Sequence, residues 1–139
     1  MEAPNEARRK VEADFRGRAS QTAPNLRIFL IGSDSSLLFY RAAVLRRAGY
    51  DVQMSSPEAA SPVLQKASFH LVMLGHSLTV DQIFDLTALV RERNPRTKVL
   101  MIQGADPLPS PSPVFDATIL GLDGPSVLLH TVQRLVAAL

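Results

Sequence analysis

Polar residues that could do chemistry lie in short segments directly after apolar runs of the sequence. The segment Gly75-His76-Ser77 places an imidazole beside a hydroxyl, a pair that can bind an anion or a small ligand. Serine hydrolysis also needs an acid that orients the histidine, and adjacent residues in a turn rarely face each other. The favoured interpretation is therefore structural: Gly75 lets the chain turn, and His76 hydrogen-bonds a neighbouring loop.

Two further polar segments follow apolar runs in the same way. Ser33 and Asp34 come after the first run, and Gln103 follows a later one. Asp34 can accept a hydrogen bond from His76 across a cleft, although an additional cap for the next helix is its simpler role, beside Ser35 or Ser36. The candidate loop site consists of Ser33, Asp34, Gly75, His76, Ser77 and Gln103.

The sequence predicts no metal site, no cofactor and no catalytic residue. Cysteine is absent, so disulfides and thiolate metal ligands are excluded. His70 and His130 are isolated on their elements and lack the spacing of metal ligands. No Gly-rich phosphate loop follows the first apolar run.

Length and composition predict one domain preceded by a tail. The chain has 139 residues, 46% of them hydrophobic, which suffices for one sizeable core. Residues 1–25 are rich in charged and small residues and are predicted to form a flexible tail. An alternative is that Val11 and Phe15, four residues apart, dock on the body or on a second chain. Residues 26–139 are predicted to form the domain.

Hydropathy and charge bound the partners. No apolar run approaches the roughly 18 residues of a membrane span, and the first residues lack the apolar stretch of a secretory signal. A cytoplasmic location without a membrane partner is therefore expected. The formal charge is only +2, with no basic stripe, so a nucleic-acid partner is not expected either.

Short apolar runs alternate with helical patterns from residue 26 onward. Strands are predicted at 26–31, 50–54, 69–74, 98–102 and 117–120. Helices are predicted before Gly49, up to about Lys66, after a Thr79–Gln82 capping box, and from Pro125 onward. The apolar sets expected to face inward are Val80, Ile83, Leu86, Leu89 and Val90 in the third helix, and Val127, Leu128, Val132, Leu135 and Val136 in the last.

The alternation predicts an α/β fold, a doubly wound parallel sheet of five strands in the order 2-1-3-4-5. Four prolines between residues 106 and 113 disfavour a helix, so the element between strands 4 and 5 is predicted to be a degenerate, extended crossover. In such a sheet, ligand chemistry belongs at the carboxyl ends of the strands, where the candidate loop site lies.

The pattern resembles the receiver domains of bacterial response regulators. The resemblance is carried by Arg27-Ile-Phe-Leu-Ile31, by Leu45-Arg-Arg-Ala-Gly-Tyr-Asp-Val52 and by Phe69-His-Leu-Val-Met-Leu74. It spans residues 26–139 and rests on hydrophobic pattern and spacing rather than on invariant motifs. It implies a flavodoxin-like fold and a role in two-component signalling.

The same resemblance implies a phosphorylation site that this sequence does not match. In receivers two acidic residues after the first strand help to hold magnesium, and Gly32 and Ser33 stand at the corresponding positions. The phosphorylated aspartate corresponds to Gly75. Asp34 lies one position late, and a single carboxylate is too few for magnesium.

The remaining receiver positions depart as well. Gln103 stands where receivers have a serine or threonine, and Gly121-Leu122 stands where they have lysine and proline. Without nucleophile, metal ligands and lysine, phosphoryl transfer is not expected. The resemblance is therefore to a pseudo-receiver lacking the phosphoacceptor aspartate.

The leading hypothesis is a phosphorylation-independent signalling module that acts through protein–protein interaction. Its partner is another protein or a second copy, with a homodimer formed through the last helix or strands 4 and 5. The alternative is a small-ligand domain of nucleotide or corrinoid type, in which Ser77 and Gly104 line the pocket. An enzyme ranks last, because no nucleophile, base and orienting acid converge.

Overall fold

A computed structural model describes residues 26–104 and 115–139. The predicted tail and the predicted Pro-rich crossover lie outside these residues. Five strands, β1 to β5, are Arg27–Ile31, Asp51–Ser55, Leu71–Leu74, Lys98–Gln103 and Ala117–Leu120. Four helices, α1 to α4, are Ser35–Arg47, Pro57–Lys66, Val80–Arg93 and Pro125–Ala137.

The strands form one parallel sheet in the order β2-β1-β3-β4-β5, which confirms the predicted fold class. The register pairs Ile31 with Ser55 and with Leu74, so the carboxyl ends of β1, β2 and β3 are level. Parallel strands with helices on both faces give the near-continuous apolar runs of the sequence.

Side-chain alternation along the strands divides the core into two layers. One layer lies between the sheet and helices α1 and α4, and it includes Leu30, Met73 and Ile102. The other lies between the sheet and helices α2 and α3, and it includes Phe29, whose ring stacks on Phe69 with centroids 4.6 Å apart. Both faces of β1 and β3 are therefore buried.

Several predicted helix ends are confirmed. The hydroxyl of Thr79 accepts from Gln82 N–H and the Gln82 side chain accepts from Thr79 N–H, which is the predicted capping box. Gly49 follows α1 with a φ of 100°, a conformation that glycine adopts without strain. Pro125 opens α4 as predicted.

Two predicted inward positions are wrong. Val80 is 40% exposed and Val127 is 41% exposed. Each lies in the first turn of its helix, before the first residue that the helix buries. The buried faces instead contain Thr87 and Thr131, which an apolar pattern does not identify because threonine is polar. Among the described helices, none has both the length and the apolar character needed to cross a bilayer.

Candidate functional site

The candidate site lies at the carboxyl edge of the sheet. Gly32 and Ser33 follow β1, the segment from Gly75 to Ser77 follows β3, and Gly121 follows β5. The loops are tied to one another: Gly75 N–H donates to the Ile31 carbonyl at 2.9 Å, and Ser33 N–H donates to Ser77 Oγ at 3.0 Å. The structure thus brings Ser33 and Ser77 together, as their places at the switch point predict.

Four glycines occupy this edge on the face that α1 and α4 cover. Alternation continues the positions of Leu30, Met73, Ile102 and Ile119 to Gly32, Gly75, Gly104 and Gly121. A Cβ atom at Gly32 would lie 3.3 Å from Leu38 Cδ2. Because glycine has no side chain, these strand ends leave space into which side chains from other elements extend.

His76 fills part of this room. A Cβ atom at Gly121 would lie 3.3 Å from His76 Nδ1, and one at Gly104 would lie 3.6 Å from His76 Cβ. His76 thus lies across the ends of β4 and β5 while remaining exposed. No described residue forms a hydrogen bond with its ring, so the predicted bond to a neighbouring loop is not found there.

Asp34 is the N-cap of α1. Its Oδ1 accepts from Leu37 N–H at 3.2 Å, and the prediction that Ser35 or Ser36 provides a cap is wrong because both lie within the helix. The carboxylate that follows β1 satisfies an amide at the helix start. In the described part of the chain no hydrogen bond joins Asp34 to His76, so no acid orients that imidazole.

Gln103 lies apart from the other candidates. Alternation along β4 places its side chain with Val99 and Met101, on the face covered by α2 and α3. Its backbone carbonyl accepts from Gly121 N–H at 2.9 Å. Gln103 therefore fixes β4 to the loop after β5 and does not face His76.

Arg41 is the functional candidate that the sequence analysis missed. It projects from α1, is only 8% exposed, and its Nη1 would lie 3.7 Å from a Cβ atom at Gly75. Burial lowers the pKa of its guanidinium, and the negative charge of Asp34 opposes that shift. Arginine stays protonated in proteins, so a permanent positive charge stands beside the end of β3.

The signal for Arg41 was its place in the helical repeat. It lies four residues after Leu37 and four before Leu45, on the apolar face of α1. A charged residue on the apolar face of a helix is usually either one member of an ion pair or part of a binding site. Among the described residues, none forms an ion pair or a hydrogen bond with its guanidinium.

Magnesium, which the resemblance implies, does not fit the residues present. Gly32, Ser33 and Gly75 offer no carboxylate, and Asp34 is engaged in capping α1. The guanidinium of Arg41 would repel a cation beside Gly75. Within residues 26–104 and 115–139 there is no group of three or more His, Asp and Glu residues that could hold a metal ion.

Cavities lie at both edges of the sheet. One of about 600 Å³ is at the amino edge, lined among others by His70, Arg91 and Lys98, and none of the candidate residues lines it. At the carboxyl edge, one of about 290 Å³ lies beside Gly32 and Ser33. A smaller one, about 50 Å³, has Arg41 in its wall.

Comparison with solved structures places the fold among CheY-like receiver domains. A CheY-like response regulator receiver domain protein from Methanospirillum hungatei JF-1 has a TM-score of 0.74 at 20% identity, over 82% of this chain and 95% of that chain. A response regulator receiver protein from Sinorhizobium medicae WSM419 has a TM-score of 0.73 at 21% identity, over 82% and 96%.

A third similar structure contains the metal that this site does not fit. The receiver domain of sensor histidine kinase PA1611 from Pseudomonas aeruginosa PAO1 has a magnesium ion coordinated in its active-site cleft. It has a TM-score of 0.70 at 16% identity, over 81% of this chain and 98% of that chain. No protein-family model matches the sequence, and no curated protein matches it. The fold is therefore shared, and activity must be argued from the residues.

Proposed function

We propose that this chain is a receiver-like signalling module that works through protein contacts and without phosphorylation of an aspartate. The observation that carries the proposal is Gly75 at the end of β3 with the Arg41 guanidinium beside it. A side chain that could accept a phosphoryl group is missing there. The adjacent positive charge belongs to a side chain of the protein. Phosphoryl transfer in receivers depends instead on a bound metal cation.

The surroundings of Gly75 support the same conclusion. Gly32 and Ser33 have no carboxylate to bind a metal ion. Gly121 stands where the resemblance expects a lysine, and the His76 ring lies beside it. Nucleophile, metal cage and lysine are thus replaced by glycine, backbone and imidazole. Phosphoryl transfer depends on positioning and charge neutralisation, so their joint loss removes the reaction.

Acetyl phosphate with magnesium tests the phosphorylation part. We expect no phosphoryl adduct by intact mass spectrometry under conditions that fully modify a receiver with an intact aspartate. Gly75→Asp is the matched variant, and it is also expected to stay unmodified, because Arg41 would pair with the new carboxylate and no ligands for magnesium are added. A stoichiometric adduct on the unaltered chain, at Asp34 or elsewhere, would contradict the proposal.

Exposed apolar side chains near β5 support the protein-contact part. Leu122 is fully exposed and Leu120 is 54% exposed, and Val127 lies close by in sequence at the start of α4. β5 is also the last strand of the described sheet. Exposed apolar side chains beside a sheet edge are typical of an interaction surface, and a second copy of the chain is the partner we propose.

Self-association can be measured by sedimentation velocity over a concentration series. We expect the weight-average mass to rise towards a dimer, and Leu122→Ser to weaken the association at least about tenfold by removing one buried leucine from the interface. Phe39→Ser is the matched control, because Phe39 is 64% exposed on α1. A monomer at all concentrations, or equal weakening by both substitutions, would contradict this surface.

The small-ligand alternative gains no support from the described residues. The pocket it predicts would use Ser77 and Gly104. Ser77 Oγ already accepts from Ser33 N–H, and His76 lies over Gly104. A nucleotide or corrinoid would have to displace both arrangements.

A further inference from the structure

A small cavity at the carboxyl edge has one buried charge in its wall. It measures about 50 Å³ and lies between α1, the end of β5 and the start of α4. Its apolar walls are Leu37, Ile102, Ile119 and Leu128. A single water needs roughly 10–15 Å³ on this measure, so the cavity has room for a group of a few heavy atoms and none for a nucleotide.

Arg41 is the charge in this wall, and it is incompletely satisfied. The residue is 8% exposed, and within the described residues its guanidinium has neither an ion pair nor a hydrogen bond. Its attraction to Asp34 acts only at a distance. A guanidinium has five donors in a planar fork that matches two oxygens of a carboxylate or phosphate. Among the described residues only Thr87 Oγ1 is a fully buried side-chain atom without a partner, so the guanidinium keeps some contact with water, and an oxyanion would recover part of the cost of burying the rest.

The start of α4 is a second feature of positive potential at the same cavity. Gly124 is the N-cap, no side chain caps the helix, and Pro125 occupies the first turn. The Gly124 N–H in the cavity wall has no acceptor among the described residues, and it lies at the positive end of a 13-residue helix. Asp123 also borders the cavity, and its Oδ2 is engaged by Leu120 N–H at 2.8 Å.

We infer that this cavity binds a small oxyanion, a phosphate or a carboxylate, held by the Arg41 guanidinium and by the Gly124 N–H at the start of α4. The site lies on the α1 side of Gly75 and needs neither a phosphoacceptor nor a metal ion. The inference is independent of the proposed function, since reversible binding of an anion is possible whether or not the chain is phosphorylated.

Titration followed by two-dimensional NMR of the 15N-labelled chain tests the inference. Inorganic phosphate is added in bis-Tris buffer at constant ionic strength, with sodium chloride as the balancing salt. We expect saturable shifts of the Gly121 and Gly124 amides, which lie in the cavity wall, half-complete on the order of 1 mM, because charge-assisted hydrogen bonds supply the binding energy. Acetate, used in a parallel titration, reports whether a carboxylate is accepted as well.

Arg41→Met and Arg47→Met form the matched pair of variants. Both positions are in α1, and Arg47 is exposed in its last turn. We expect Arg41→Met to weaken phosphate binding at least about tenfold and Arg47→Met to leave it unchanged. Saturation by phosphate alone or by both anions supports the inference and assigns the ligand. Absence of saturable shifts, or equal binding by Arg41→Met, overturns it. Inorganic phosphate cannot phosphorylate the chain, so failure here leaves the acetyl phosphate result unaffected.

Discussion

Asp116→Ala is expected to lower the free energy of unfolding by about 2–3 kcal/mol. Asp116 Oδ2 accepts from Val99 N–H at 2.7 Å and from Arg91 Nη2 at 3.1 Å, and its side chain is 24% exposed. Val99 is fully buried in β4. Alanine at position 116, just before β5, would leave the buried Val99 N–H without its hydrogen-bond acceptor.

The measurement is urea denaturation followed by far-ultraviolet circular dichroism. Asp51→Ala is the matched control, because Asp51 pairs with Arg27 at 3.7 Å while its side chain is 70% exposed. Its loss is expected to cost less than about 0.5 kcal/mol. Asp116→Asn should fall between the two, since an amide oxygen still accepts from Val99 N–H. Equal midpoints for Asp116→Ala and Asp51→Ala would show that the bond to β4 adds nothing.

The sheet and most helix ends could be predicted because their signals are local. The Thr79–Gln82 capping box, the positive φ at Gly49 and Pro125 at the start of α4 each depend on a few neighbouring residues. The strand order followed from alternating strands and helices with short connections. The packing of the first turns of α3 and α4 on the sheet depends on residues distant in sequence. The inward orientation predicted for Val80 is wrong for that reason.

The candidate site could be predicted only in part, because its contents come from elements distant in sequence. The ends of the strands predict that Ser33 and Ser77 lie at one edge of the sheet, and the two residues do meet there. The Arg41 guanidinium lies beside Gly75, which is 34 positions away along the chain. No pattern within α1 reveals that proximity. A charge inside an apolar helical stripe is the feature to follow in similar sequences.

Arg41→Met is expected to raise the free energy of unfolding by about 1–2 kcal/mol in buffer that contains only chloride. Methionine keeps an unbranched stem in the cavity wall that also contains Leu37 and Leu128, and it removes the charge of a residue that is 8% exposed and lacks an ion partner among the described residues. The expected sign is unusual, because most substitutions at buried positions destabilise a protein. It follows from desolvation, which also lowers the pKa of this guanidinium.

Phosphate should reduce this difference if the cavity binds an oxyanion. A ligand that binds only the folded chain stabilises it by about 1.4 kcal/mol at ten times its dissociation constant, so the unaltered protein gains and Arg41→Met does not. Urea midpoints of both chains, and of Arg47→Met as the surface control, measure the effect in chloride and in phosphate. Destabilisation by Arg41→Met in chloride would mean that the charge already has a partner that stabilises the fold. Stabilisation by Arg41→Met in chloride that is reduced in phosphate would indicate an anion-binding site. The charge that destabilises the protein without the anion is then the one that binds it.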